Sequence, residues 1–478
     1  MSSRPPLSAD LELGARVAHL ELDRVWAVDP VAGREGPADL VVEDGRLTSF
    51  EWASDGRGSR DGLVVTPGFT DLHAHFREPG FEDAETVATG QDAAAHGGFT
   101  TVCVMANTDP PLDQAPILRE VLARASQSGS PVRVLAWGAA TQRREGKALA
   151  DLGDLAKAGA VGFSDDGAPI AGGLLRNVLA YAGMLGRLVA DHAEDRELAS
   201  GAEASEGLVA TILGLKGWPS AAEEAAIARD IAILGDLVAA DSAAARLHLT
   251  HVSTAGGIEL VRRAKAAGLP VTCDVTPHHV ALSDEWLAGA RRWSWQAGDT
   301  NAWAAGALGS QAYDPALKVN PPLRSPTDAR ALLAGVRDGT VDAIATDHAP
   351  HTLVDKEVEF GAAANGISGI ETALGLLLEA VAAGELTLLE AVRALTVGPA
   401  RVLEGGTAAG QHRPLPALAI GEPADLVLFD PDDAWLVSES SLRSKGKNSP
   451  LLGRSLPGRV LATIAGGRLA YLDPDLAE

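Results

Sequence analysis

His73 and His75 are separated by one alanine, so on an extended chain both imidazoles point to one face. Two imidazoles on one face can chelate a divalent ion, and histidine joined by carboxylate is a ligand set for zinc. Alone, the pair reads as well as two polar core histidines. It is not alone: Asp165-Asp166, His192, His251 and the run Asp347-His348-Ala349-Pro350-His351 each close an apolar run. His73, His75, Asp166, His192, His251 and Asp347 are too many ligands for one tetrahedral zinc, and they suit two ions with one carboxylate bridging. Two such ions can share a hydroxide that is nucleophilic near neutral pH. Asp347 then has two tasks, to ligate a metal and to accept the hydroxide's proton; otherwise it is a cap at a strand end. His351, just beyond, is a candidate for substrate. His278, His279 and His348 read as structural or supporting, and His19, His96 and His412 lie apart from the group. His248, three residues before His251, is expected to face the opposite side, toward the helices.

An architecture must bring these groups together. Strand patterns cover 68–75, 100–107, 132–139, 160–166, 187–192, 246–251, 270–278 and 341–347, and helical patterns between them cover 85–96, 115–126, 149–158, 174–185, 221–239, 257–267 and 327–337. Eight strands with helical crossovers point to a (β/α)₈ TIM barrel of the α/β class, not an open doubly wound sheet. No GxGxxG follows the first strand, which argues further against a dinucleotide fold. Barrel enzymes work at the carboxyl ends of their strands. Here those ends carry His73 and His75, Asn107, Asp165-Asp166, His192, His251 and Asp347.

Residues 24–51 read as short strands with turns at Pro30-Val31-Ala32-Gly33 and Glu43-Asp44-Gly45, and 424–471 has the same character with a turn at Gly466-Gly467. Neither end alone makes a stable sheet. They are expected to join in one small composite β-domain, 1–66 with 410–478, beside a barrel of 67–409. The long connection 283–318, carrying Trp286, Trp293, Trp295 and Trp303, should emerge at the catalytic face after strand seven. Its length and Gly/Ala content suggest a mobile gate, and its tryptophans suit an interface equally well.

The 478 residues are 46% hydrophobic, enough for a large core, and the formal charge of -24 argues against nucleic acid or an anionic membrane as a partner. It does not exclude a small anionic substrate, because a local arginine overrides the global field. Cys103 and Cys273 lie in β-branched runs and read as buried, reduced thiols. Met1 to Gly14 has no apolar h-region and no run is long enough to span a bilayer, so the expectation is a cytoplasmic protein.

The sequence resembles the dihydroorotases of the amidohydrolase superfamily, in their long-chain bacterial class, from Pro67 to about Gly453. Pro67-Gly68-Phe69-Thr70-Asp71-Leu72-His73-Ala74-His75-Phe76-Arg77-Glu78-Pro79-Gly80 is similar to the family's opening signature, continued by Glu85-Thr86 and Gly97-Gly98-Phe99-Thr100-Thr101. Phe163-Ser164-Asp165-Asp166-Gly167, Asn320-Pro321-Pro322-Leu323-Arg324 and Ala345-Thr346-Asp347-His348-Ala349-Pro350-His351 match its later motifs. The resemblance implies two Zn²⁺ bridged by Asp166 and a hydroxide, one ion on His73, His75, Asp166 and Asp347, the other on Asp166, His192 and His251. It implies that Arg77, Asn107, Asn320 and His351 meet the substrate, with the backbone at Asn365-Gly366 against its ring, and that Asp347 shuttles the proton. The sequence departs from the pattern at Ala106, where proline is usual, at Ala193, where cysteine is common, at Asn365, where phenylalanine is common, and in the length of the tryptophan-bearing segment. These bear on pocket shape and remove no ligand.

The implied reaction is reversible hydrolysis of (S)-dihydroorotate to N-carbamoyl-L-aspartate in de novo pyrimidine (UMP) synthesis. Alternatives are an allantoinase or dihydropyrimidinase, and a non-catalytic partner of aspartate carbamoyltransferase. The first two usually bridge their metals with a carboxylated lysine on strand four, where this chain has Asp165 and Asp166; the third would be expected to have lost ligands. A homodimer and an association with aspartate carbamoyltransferase are left open.

Overall fold

The computed structural model describes residues 11–53, 62–240, 244–296, 309, 311–404 and 415–476. Trp303, His412, the outer ends of the expected β-domain and its boundary at 409/410 lie outside the described residues. The eight barrel strands, numbered one to eight along the chain, are Phe69–Ala74, Phe99–Val104, Arg133–Ala136, Gly162–Phe163, Leu188–Asp191, Leu247–Leu249, Val271–Val275 and Ala343–Ile344. Strands one to three form one parallel set and strands four to eight another. Parallel bridges Gly138 to Phe163 and Ala74 to His348 join the two sets and close the ring. The fold is the TIM barrel that the strand–helix alternation implied, with the flanking β-domain that the strand patterns near both ends implied.

Seven helices fall on the expected patterns: Val87–His96, Ala115–Gln127, Leu152–Ala158, Gly172–Met184, Ala221–Ala239, Ala255–Ala266 and Pro326–Asp338. Local chemistry sets their starts. Thr86, Asp151, Thr254 and Ser325 each accept a backbone N–H of the first turn through a side-chain oxygen. After strand eight comes the single turn Leu353–Lys356 and then three longer helices, Ala373–Ala382, Leu388–Leu395 and Val397–Glu404. Inside the ring, Leu72, Cys103, Trp137, Leu188, Ala190 and Ala343 pack together, and the Trp137 indole donates to Leu72 O at 2.9 Å. Both thiols are free and buried, and burial pushes their pKa values up.

The flanking sheet orders its strands Arg468–Leu472, Arg459–Ala465, Leu426–Asp430, Val64–Pro67, His19–Asp29, Arg34–Glu43 and Arg46–Trp52. Val64–Pro67 sits at the junction, antiparallel to Leu426–Asp430 and parallel to His19–Asp29. Two of its hairpins turn at Asp44-Gly45 and Gly466-Gly467, where all four residues have positive φ, as a primed two-residue turn demands. The turns lie against each other: a Cβ on Gly45 would stand 2.8 Å from Gly467 O. Between them Leu20, Leu40, Val65, Leu426, Leu428 and Ile464 form a separate apolar core.

The described ends of the 283–318 connection are packed. Trp286 and Trp293 are buried and stacked, with ring centroids 5.6 Å apart, and the Arg454 guanidinium covers both. Among the described residues no helix is long and apolar enough to cross a membrane.

Candidate metal centre

Every expected ligand lies at the carboxyl rim of the barrel and is buried. Three buried carboxylates, none of them an expected ligand, fix the strand ends. Asp71 accepts from His73 N at 3.1 Å, from Thr346 N at 2.9 Å and from the Thr346 hydroxyl, tying strand one to the chain just before Asp347. Burial raises its pKa to about 6, against the lowering pull of the Thr346 bonds. Asp165 accepts from Ala140 N, Thr141 N and the Thr141 hydroxyl, so of the adjacent pair Asp165 holds the loop after strand three and Asp166 turns into the site. The Arg144 guanidinium donates to the Asp166 carbonyl from the same loop. Asp274 on strand seven accepts from His251 N at 2.6 Å.

Its other oxygen, 2.9 Å from His248 Nε2, corrects the expectation for that residue. His248 pairs in register with Ala190, an inward-facing residue, and points into the barrel, not toward the helices. Counting by twos from His251 fails because strand six ends at Leu249 and His251 has φ 40°.

His73 Nε2 lies 3.4 Å from Asp166 and 3.5 Å from Asp347, and His75 Nε2 lies 3.0 Å from Asp347 and 3.7 Å from Asp166. His251 Nε2 is 3.3 Å and His192 Nδ1 3.6 Å from Asp166, and these two nitrogens are 2.9 Å apart. Two overlapping sets, His73–Asp166–His251 and His73–His75–Asp347, have ligand atoms all within 4.8 Å of one another. Asp166 therefore faces all four imidazoles.

The outer contacts aim these nitrogens. The Asn107 carbonyl oxygen is 2.8 Å from His75 Nδ1, so Nδ1 carries the proton and Nε2 turns a lone pair to Asp347. Glu194 Oε2, 2.9 Å from His192 Nε2, does the same on the other side and leaves Nδ1 aimed at Asp166. Both ring nitrogens of His73 are buried without a hydrogen-bond partner. Lone pairs facing carboxylates and one another at these distances suit a cation between them, and this donor set could hold metal. Without one, protons answer the same field. Burial disfavours the His73 and His192 cations, but Asp166, with Asp347 and Glu194, overrides it and holds them at about 9 and about 10. Asp166 and Asp347, despite burial, are held far below the usual carboxylate range by the same imidazoles.

The residues expected to meet substrate lie beside this cluster, Asn107 against His75, Arg77 against His351 and Asn320 against Glu194. The Arg77 guanidinium is half-buried and donates through Nε to Pro350 O at 3.0 Å. Among the described residues no carboxylate pairs with it: Glu78 instead pairs with Arg124 and accepts from Val87 N. Burial lowers its pKa only to about 10, so it stays charged. Arg77 Nη2 lies 3.2 Å from His351 Nε2, which is also 2.8 Å from Asn365 O. A proton on Nε2 satisfies that carbonyl and leaves the arginine N–H available. Burial and Arg77 depress His351 to about 3, so its ring is neutral. Asn320 donates to Glu194 Oε2 at 3.2 Å, while its own oxygen has no partner. Gly366 has φ 144°, and a Cβ there would stand 2.6 Å from Ala349 Cβ, so only glycine lets the two loops touch. Buried Lys356 donates to Ala364 O at 2.7 Å, Gly366 O at 3.0 Å and Lys318 O at 3.3 Å.

Sequence reading passed over Glu194, Asp274, Arg144 and Lys356. Glu194 carried a signal, since it stands two residues past a ligand; the others are brought in by the closed ring.

A family model described as dihydro-orotase-like matches residues 62–256. A protein named dihydroorotase from Pelotomaculum thermopropionicum is 44% identical over 452 residues, covering 93% of this chain and 97% of its own. Dihydroorotases from an Anaeromyxobacter species and from Syntrophus aciditrophicus are 44% and 41% identical, each over 93% of this chain and 96% and 97% of their own. Among solved structures, an L-hydantoinase (dihydropyrimidinase) from Arthrobacter aurescens aligns with TM-score 0.76 at 24% identity, covering 95% of this chain and 96% of that one. A dihydropyrimidinase from Brevibacillus agri aligns with TM-score 0.70 at 19% identity, covering 95% of each. At those identities the solved structures speak for the fold.

Proposed function

The chain belongs to the dihydroorotase family, cyclic amidohydrolases acting on a small molecule, and on that premise we propose how its residues open (S)-dihydroorotate reversibly to N-carbamoyl-L-aspartate in de novo pyrimidine (UMP) synthesis. Two zinc ions would be held by this rim, one by His73, His75, Asp166 and Asp347, the other by His192, His251 and the shared Asp166. Bound there, the metal pair polarises the ring amide and makes water nucleophilic near neutral pH. Asp347 takes the proton that the attacking water loses and delivers it to the leaving ring nitrogen. Its depressed pKa suits the first task, because the carboxylate is ionised at neutral pH.

Arg77 holds the substrate carboxylate, whose planar geometry its fork matches. Asn107, Asn320, His351 and the backbone of Asn365-Gly366 surround the ring. The observation that carries this reading is the buried His73, partnerless on both nitrogens within 3.5 Å of two carboxylates. Metal analysis with turnover of dihydroorotate by the same purified sample tests it. Two equivalents of zinc per active chain are expected; one tightly bound ion in fully active protein refutes the binuclear site. The equilibrium checks the substrate pair: cyclisation consumes one proton, so the ratio of ring to open product falls about tenfold per pH unit. The chain is read as cytoplasmic. A homodimer and a complex with aspartate carbamoyltransferase are tested by measuring mass alone and in mixture with that enzyme.

A further inference from the structure

We infer that Asn448 is a positioning residue for the substrate pocket: its amide locks the loop carrying His351 to the loop carrying Asn365 and Gly366. The inference rests on the reading that these two loops meet the substrate. Asn448 is buried, and it comes from a stretch that lies beyond the last helix of the barrel. Its Nδ2 donates to Ala349 O and to Gly366 O, each at 3.0 Å, one carbonyl from each loop. Its Oδ1 accepts from His351 N at 2.8 Å and lies 2.9 Å from the Ser368 hydroxyl, whose single proton is shared between Oδ1 and Gly446 O. The backbone joins in, with Ser368 N donating to Asn448 O at 3.1 Å.

The orientation of the amide follows from its neighbours, since only the NH₂ can face two carbonyls and only the oxygen can face a backbone N–H. All four side-chain hydrogen-bonding positions are thus used, two on each loop. The approach is close on the other side too: a Cβ on Gly446 would stand 2.7 Å from Pro350 Cβ and 2.8 Å from His351 N. The segment is pressed onto the strand-eight loop and is not merely tethered near it.

No other side chain supplies two donors and two acceptors in this shape. Aspartate keeps the volume but turns a carboxylate oxygen toward Ala349 O and Gly366 O, so Asn448→Asp unlocks the loops while leaving the rim ligands untouched. With full metal content, Asn448→Asp is expected to raise KM for dihydroorotate about tenfold or more and to change kcat less than about threefold, because the loops bind the ring without taking part in proton transfer. Ser444→Ala is the control: the Ser444 hydroxyl lies in the same segment and bonds Glu85 and Gly446 O without reaching either pocket loop, so its variant lowers Tm and leaves KM alone. A KM within about twofold of wild type in folded, metallated Asn448→Asp overturns the inference, and so does a KM rise matched by metal loss. If that variant does not fold, Ser368→Ala decides, with a KM rise of about two- to threefold expected and an unchanged KM overturning. His351→Ala separates the two levels of the argument. Unchanged KM there means that the pocket reading has failed; raised KM there with unchanged KM in Asn448→Asp means that only the role of Asn448 has.

Discussion

Along Arg34–Glu43 of the terminal sheet, buried and outward residues alternate, three of the four positive-φ residues in its two tight turns are glycine, and one face packs on an apolar core. At the barrel rim the same chain buries four imidazoles and two carboxylates, leaves His73 unpartnered, and sets Arg77, His251 and Asp347 at positive φ without being glycine. Each such backbone costs about 1–3 kcal/mol and persists only where its surroundings enforce it. The sheet departs from the local rules at single exposed positions, Arg24 and Asp44, whereas the rim breaks several rules together around buried ligands. Concentrated violations of this kind mark the part of a protein shaped by chemistry instead of by stability.

The contrast should be sharpest in Asp166→Ala. Removing the carboxylate that faces all four histidines is expected to lower kcat/KM by roughly 10⁴-fold, as loss of a central catalytic group does, with metal content falling alongside. Tm should fall by no more than it does when wild type is stripped of metal, and a large Tm loss with metals retained would reverse the assignment of rim and sheet. Arg77→Met should lower kcat/KM for dihydroorotate by about 10²–10³-fold, since a buried carboxylate loses its charged partner, and should narrow the preference over dihydrouracil, the ring without the carboxylate. Metals should stay in place, and a preference as wide as wild type would mean that Arg77 only braces its loop.

The sheet should answer in the opposite currency of measurement. Leu428 is fully buried in the sheet's own core, and Leu428→Ala is expected to cost about 2–5 kcal/mol in denaturant unfolding while kcat per folded molecule is unchanged. A kcat loss larger than the unfolded fraction would show the two regions coupled. A smaller effect comes from pH. Burial depresses His279 to about 3, below the unfolded value near 6.5, so its share of stability is present above pH 6.5 and is lost as pH falls toward 3. In metal-stripped protein, the slope of Tm against pH over that interval should flatten in His279→Gln, which keeps a donor for Pro321 O. The smallest effect is expected at the half-exposed Arg124, whose ion pairs with Glu78 and Glu120 should be worth about 0.5 kcal/mol, screened further by salt.

Much of the barrel was legible because its helices are periodic and its strand ends are polar after apolar runs. Strands four and eight are each only two residues long, yet the motifs that follow them, Asp165-Asp166 and Asp347 to His351, stood out by composition. What was not legible has two physical sources. Parity along a strand stops where the backbone leaves it, which misdirected His248. Partnership across the closed ring leaves no trace in local pattern, so Asp274, Lys356 and Asn448 read as ordinary residues. Asn448 and His351 meet across 97 positions of sequence. The tryptophan-bearing connection reads equally as a mobile gate or an interface, and two of the aromatic residues that mark it, Trp286 and Trp293, pack its described ends.

The place of Val64–Pro67 between a strand from the start of the chain and one from near its end has a consequence for how the protein is made. On the ribosome, the first strands emerge hundreds of residues before Leu426–Asp430 can cover the open side of that edge. Through most of synthesis the nascent chain therefore carries an apolar strand open along one side, the kind of edge that invites pairing with a neighbouring copy. The same late stretch delivers Asn448. A chain released early would lack both the strand that seals the sheet and the amide that ties the pocket loops, so an incomplete product should be sticky and inactive together.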